Sequence, residues 1–228
     1  MPNYADINGR PMKKLQIQQY LRKLQLNDFE PAVNLATLTK LQDAHLKYIP
    51  YENFDCLNGK ITSLKRQDMF NKVIMHNRGG ICFELNGLYN WLLESLGFDV
   101  TSYSARFIDK METYQLRRHR VMCVALGDKR YLTDVGVNSE SPRVPLEITE
   151  GLIQSDGISQ YKFTRSEFWG WLLWQKERGK IWKRLFGFTE EPQIDKDFIT
   201  ASFWCDAHPD SPLSLIHISE PTRQAEIS

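Results

Sequence analysis

The chain has 228 residues with Lys+Arg 29 against Asp+Glu 28, a formal net charge of +1, and 42% hydrophobic and 25% charged residues. This is the composition of a globular protein able to bury a sizeable core, without the basic excess that would point to nucleic acid as a main partner. No apolar run reaches the roughly 18 residues of a membrane span, and Met1–Ile7 lacks the layout of an export signal, so a cytoplasmic protein is expected.

In chain order, the first part is helical in pattern. Ile17, Tyr20, Leu21 and Leu24 recur at i, i+3, i+4, i+7. Leu35, Leu38, Leu41 and His45 repeat the spacing, and Met69, Phe70, Val73 and Ile74 suggest a third helix. The clearest stripe is Leu85, Leu88, Tyr89, Leu92, Leu93 and Leu96, with Gly97 as its stop. From Phe98 the period changes to that of strands: Thr101–Phe107, Arg120–Leu126, a Gly127-Asp128 turn, Lys129–Val135, then Tyr161–Thr164, Trp169–Gln175 and Ile181–Phe188. The tryptophans between Trp169 and Trp182 are expected to pack a barrel, since aromatics favour strands. Leu213–Arg223 reads like the in-frame translation of a sequencing adapter, so 213–228 is expected to be a non-native tail. The expected organisation is a helical domain over 1–97, a β-barrel domain over 98–194, the start of a third unit over 195–212, and the tail.

The cysteines at 56, 82, 123 and 205 lack zinc-ligand spacing, so no metal is expected, and in an intracellular chain most should be reduced and buried. Cys82 stands apart. In Arg78-Gly79-Gly80-Ile81-Cys82-Phe83-Glu84 it falls between a glycine pair and the clearest helix, where unpaired N–H groups and the helix dipole favour a thiolate. A buried structural cysteine fits the local pattern equally well. A nucleophile needs a base and an orienting group. A two-residue turn at Gly127-Asp128 sets Leu126 against Lys129 and Val121 against Asp134, which brings His119 onto the same face one diagonal step away, about 7–8 Å between backbones. A three-residue turn would point Asp134 to the other face. His76 is the competing base, in a segment read as a solvated loop.

These residues resemble the arylamine N-acetyltransferase family. The likeness rests on Arg78–Asn86, His119 and Tyr131-Leu-Thr-Asp-Val-Gly136, and extends to Ile49-Pro-Tyr-Glu-Asn53, Pro145-Leu146 and His208-Pro-Asp-Ser211. It implies an α+β fold: a helical N-terminal bundle plus an antiparallel β-barrel, a papain- or transglutaminase-like cysteine core, with an incomplete C-terminal α/β lid. It also implies Cys82 as acyl-accepting nucleophile, His119 as its proton partner and Asp134 as the orienter. The co-substrate would be acetyl-CoA, with no permanently bound cofactor, and the acceptor a small aromatic amine or hydrazine. Arg118, Val137, Asn138 and Trp204 are the expected substrate and CoA contacts. Arg78, Glu52 and Asn86 are expected to brace the nucleophile loop, with an Arg78–Glu52 ion pair. The family often has Gly-Phe-Gly where this chain has Gly136-Val137-Asn138, and Phe where it has Tyr51. The alternatives are a Cys-His-Asp hydrolase or amide-forming acyltransferase, and an inactive product that keeps the fold without turnover.

Overall fold

The computed structural model describes residues 9–108, 115–137 and 140–215. Helices α1 (Lys14–Lys23), α2 (Leu35–Tyr48), α3 (Phe54–Leu57), α4 (Arg66–Phe70) and α5 (Cys82–Ser95) come first. Asn34 starts α2 by accepting the Thr37 N–H at 2.9 Å, which satisfies one of the donors a helix start leaves unpaired. The third predicted helix is α4 followed by a π-helical turn over Asn71–Met75. α5 ends where Gly97 is expected to stop it. Gly97 takes φ +91°, its N–H reaches Glu94 O and the Phe98 N–H reaches Leu93 O, each at 3.1 Å. That left-handed cap suits glycine, which has no Cβ to strain.

The leucine stripe predicts one buried face for α5, but Cys82–Leu93 are buried all round. The helix lies between α4 on one side and strands β1 (Asp99–Phe107) and β2 (His119–Leu126) on the other. Its polar side is therefore interior as well, and Asn86 and Asn90 are buried with hydrogen-bond partners. The first hydrophobic core joins the helices to Val100, Met122, Val124 and Tyr131 of the sheet.

β3 (Lys129–Thr133), β4 (Leu146–Glu147), β5 (Gln154–Ser155), β6 (Ser159–Ser166), β7 (Gly170–Glu177) and β8 (Lys183–Gln193) complete the sheet. Its order is β4-β3-β2-β1-β8-β7-β6-β5, and every neighbouring pair is antiparallel. The two edges nearly close into a barrel. The Gln154 side chain accepts the Glu147 N–H at 2.7 Å and donates to the Glu147 carbonyl at 2.9 Å, clipping β5 to β4. A second core fills the barrel with Tyr103, Val121, Leu132, Phe163, Trp171, Leu173 and Phe186 among others. Of the expected barrel-packing tryptophans only Trp171 belongs to this core; Trp174 and Trp182 are half-buried and carry cations over their rings.

A 3-10 turn (Asp195–Phe198), α6 (Ile199–Ala207) and α7 (Pro212–Leu215) follow the sheet. They build a third cluster in which Cys56, Ile81, Cys82, Phe83, Phe198, Cys205 and Leu213 meet. Leu213, expected to open a tail outside the fold, is buried, and its carbonyl accepts from Asn53 Nδ2 at 2.7 Å. The remainder of that tail from residue 216 lies outside the described residues. No helix among the described residues is long and apolar enough to cross a membrane.

Candidate active site

Cys82 is the first residue of α5. The loop before it can approach so closely only because it lacks side chains. A Cβ on Gly79 would stand 2.1 Å from the Pro50 carbonyl oxygen, and one on Gly80 would stand 2.6 Å from Glu84 Oε2. Glu84 folds back to accept the Ile81 N–H at 3.0 Å, a cap that fixes the helix start. Lys72 neutralises this buried carboxylate at 2.8 Å and also pairs with Asp55 at 2.8 Å. Arg78 donates to Glu52 Oε1 from Nη2 at 2.8 Å and from Nε at 3.1 Å, and reaches Asp55 at 3.3 Å.

The β2–β3 hairpin has the register that a two-residue turn requires: Leu126 opposes Lys129, and Met122 opposes Thr133. Asp134 follows directly, on the face of His119. His119 Nε2 lies 2.7 Å from Asp134 Oδ2 with both side chains fully buried. An ionised carboxylate only accepts, so Nε2 carries the proton and Nδ1 is left as the basic nitrogen. His119 Nδ1 has no hydrogen-bond partner among the described residues. The ring is held between Phe107 and Phe186, with centroids at 5.0 and 5.4 Å.

The turn after Asp134 lies directly on Cys82. A Cβ on Gly136 would meet Cys82 Cα at 2.8 Å and Cys82 Cβ at 3.0 Å. Asp134 Oδ1 accepts the Gly136 N–H at 2.8 Å. Asn86, expected to brace the loop before Cys82, instead joins helix to barrel. Its Nδ2 donates to Arg120 O at 2.6 Å and Asp134 Oδ1 at 2.8 Å, and its Oδ1 accepts the Val135 N–H at 2.9 Å. Cys82 and Asn86 are four apart on α5 and so share a face.

The expectation of a thiolate favoured by the helix start meets an opposing effect. Cys82 is buried, and the loss of hydration pushes its thiol well above the ordinary value, followed by the charges of Cys205 and Asp134; Arg118 and an Arg120 backbone hydrogen bond pull it back. Desolvation of a whole charge outweighs the partial charge of a helix end. The Arg118 carbonyl oxygen is 3.8 Å from Cys82 Sγ. The other cysteines are also buried, and burial comes first in raising each of them.

Arg118 is half-buried and lines a cleft of about 640 Å³ that continues past Phe107 to Trp174 and Trp182. Val137 sits in the barrel core with its N–H on Ser141 Oγ at 2.8 Å. Trp204 packs on the third cluster and stacks on His208 at 5.0 Å. Asn138 lies outside the described residues. His76 is exposed.

Sequence reasoning missed a ring of polar groups behind the site. Arg120 donates to Ser102 at 3.0 Å and Asp195 at 2.9 Å; Arg66 bonds Asp195 at 2.8 Å and Glu94 at 2.6 Å. Asn90 closes it, donating to Glu94 at 2.8 Å and accepting from Ser102 at 3.4 Å. The available signal was Arg120 itself, a charge at the start of an apolar strand, which demands a buried partner.

An N-acetyltransferase family model matches residues 34–226. Arylamine N-acetyltransferase of Mycolicibacterium smegmatis is 35% identical over 198 residues, covering 84% of this chain and 71% of that protein. The Escherichia coli enzyme of the same name is 30% identical, covering 79% of this chain and 64% of its own length. The solved arylamine N-acetyltransferase from Salmonella typhimurium superposes with a TM-score of 0.85 at 26% identity, over 92% of this chain and 77% of that one. The chain belongs to the arylamine N-acetyltransferase family.

Proposed function

We propose that the protein moves an acetyl group from acetyl-CoA to an arylamine or arylhydrazine by way of a thioester on Cys82. The observation that carries this reading is the buried His119–Asp134 hydrogen bond of 2.7 Å, set beside a helix-start cysteine on which the Asp134–Gly136 turn directly packs. Asp134 holds the imidazole with Nε2 protonated, so Nδ1 is the atom that takes a proton.

The Cys82 thiol gives up its proton as the sulfur attacks. His119 accepts it, and the sulfur adds to the thioester carbonyl. The Cys82 and Phe83 N–H groups at the helix start are the donors offered to the oxyanion. CoA departs with the proton returned from His119. In the second half-reaction the amine attacks the acetyl-Cys82 carbonyl, the C–S bond breaks, and His119 passes the amine proton to the departing Cys82 sulfur. An apolar, enclosed site suits this order, since water would compete with a weakly basic amine for the acyl group.

The test is incubation with acetyl-CoA, with and without an arylhydrazine, read by CoA release and by intact mass. The expected result is one acetyl group added to the protein without amine, and CoA release sustained only with amine. A protein that gains no acetyl mass, or whose mass gain survives Cys82→Ala, overturns the reading.

A further inference from the structure

Successive residues of a strand point to opposite faces. In β2, Val121 and Cys123 belong to the barrel core, whereas Met122 and Val124 belong to the core shared with the helices. By the same alternation His119 lies on the barrel side and Arg120 on the helix side. Arg120 is 2% exposed. Its charge is met by Asp195 of the 3-10 turn at 2.9 Å, by the Ser102 hydroxyl of β1 at 3.0 and 3.2 Å, and by the Phe198 ring at 4.6 Å. Gly87 on α5 clears room for it, since a Cβ there would stand 3.2 Å from Arg120 Nη1. One side chain thus ties together β1, β2 and the segment that follows the sheet.

The backbone of the same stretch brackets the sulfur. The Arg118 carbonyl lies 3.8 Å from Cys82 Sγ, and the Arg120 carbonyl accepts from Asn86 Nδ2 at 2.6 Å, one turn further along α5. The Arg120 N–H bonds to Cys82 and favours its thiolate. Sheet pairing alone holds this stretch weakly. The β1–β2 ladder ends at His119, and β3 pairs with β2 only from Met122 onward. Residues 118–120 therefore have a strand on one side at most, and the anchored guanidinium supplies what the ladder lacks.

We propose that Arg120 is a positioning residue: by gripping Asp195 and Ser102 it fixes the strand start whose backbone brackets the Cys82 sulfur. This role rests on the acetyl-transfer reading of Cys82. It also makes Asp195, and with it the turn behind the sheet, part of the support of the reacting group. A well-packed apolar side chain would fill the same space without desolvating a charge. What the guanidinium adds is direction, because its planar fork reaches β1 and the turn at once.

Two measurements on the whole chain test it: the pH profile of Cys82 alkylation by iodoacetamide, and single-turnover acetylation by acetyl-CoA followed by intact mass. The variants are Arg120→Gln, Asp195→Ala and Ser102→Ala. Charge alone predicts opposite shifts, because losing a cation raises a thiol, losing a carboxylate lowers it, and losing a hydroxyl changes no charge. Positioning predicts that all three move alkylation to higher pH, since each loosens the Arg120 N–H from the sulfur. The maximal acetylation rate should fall by about tenfold to hundredfold, the scale of a small misplacement, with half-saturating acetyl-CoA changed less than about twofold. Arg120→Lys keeps the charge but not the fork, so it should recover thermal midpoint without recovering rate. Shifts of opposite sign at Arg120 and Asp195, a profile left unmoved in variants that have only lost thermal stability, or a lysine variant as fast as native overturns the proposal. If Arg120→Gln does not fold, Ser102→Ala carries the same test. A protein that shows the three alkylation shifts yet takes no acetyl group would sink the acetyl-transfer reading and leave the positioning of the sulfur standing.

Discussion

Asn86 Nδ2 stands 2.8 Å from Asp134 Oδ1, and through this contact the helix that carries the sulfur fixes the carboxylate that orients the imidazole. The same amide takes up the Arg120 carbonyl and the Val135 N–H. Asn86→Ala leaves buried groups unsatisfied and is expected to cost about 3 kcal/mol, from roughly 1–3 kcal/mol for each. Urea unfolding measures that cost. Asn86→Asp sets a second carboxylate against Asp134 and should be worse than Ala; a neutral result for both would remove Asn86 from the site's framework.

Asp134→Asn keeps the shape of the His119 contact but offers an amide where an acceptor is needed. Acetyl transfer should drop by about 10³–10⁴-fold, as for loss of the orienting acid in other triads. His119→Gln should be at least as damaging, while His76→Gln on the exposed loop should stay within about twofold of native. Steady-state rates with one hydrazine compare all three, and equal losses at His76 and His119 would reopen the choice of base.

The rise in the Cys82 thiol has a sign that can be measured. With burial disfavouring the thiolate and Arg118 opposing it, Arg118→Gln should push the alkylation profile of Cys82 to higher pH. At neutral pH iodoacetamide labelling should slow, because a smaller fraction of the sulfur is thiolate. Labelling of Cys82 followed by peptide mass analysis reads this directly, and a profile moved toward lower pH would contradict the assigned electrostatics.

His45 makes acid the weak side of the helical core. It is buried between Tyr20 and Tyr89, and both ring nitrogens lack a hydrogen-bond partner among the described residues. Burial first and Lys23 second lower its value from 6.5 to about 3. The unfolded chain therefore binds a proton that the folded chain refuses, and stability falls as pH drops below about 6.5 toward about 3. By pH 5 the loss is roughly 2 kcal/mol, at about 1.4 kcal/mol per unit. His45→Phe should remove that part of the slope, seen as a smaller fall in urea midpoint between pH 7 and 5; an unchanged slope would exclude His45 as the source.

Gly136→Ala tests the packing of the turn on Cys82. Its Cβ would lie 2.8 Å from both Asn86 Nδ2 and Cys82 Cα, atoms fixed by backbone and network, so overpacking of about 1–3 kcal/mol is expected. Acetylation of Cys82 should fall together with the midpoint of unfolding, and a variant as stable and as fast as native would show that the turn yields.

The linear chain already determined the existence and kind of nearly every main element, because periods of 3.6 and 2 leave marks in the hydrophobic pattern. Its turn chemistry also determined the hairpin parity: Gly127-Asp128 allows two residues, and two residues put Asp134 on the face of His119. What it left open required groups distant in sequence to come together. Asn86 gave no local sign that its partners would be Arg120 and Val135, and Arg120 gave no sign that Asp195 would neutralise it, since a buried polar atom is satisfied by whatever the tertiary fold brings within 3 Å or so. The surroundings of the Cys82 thiol are set in the same way. A helix start favours a thiolate, but only the packed structure sets how much water is removed from the sulfur, and that loss pushes the thiol up.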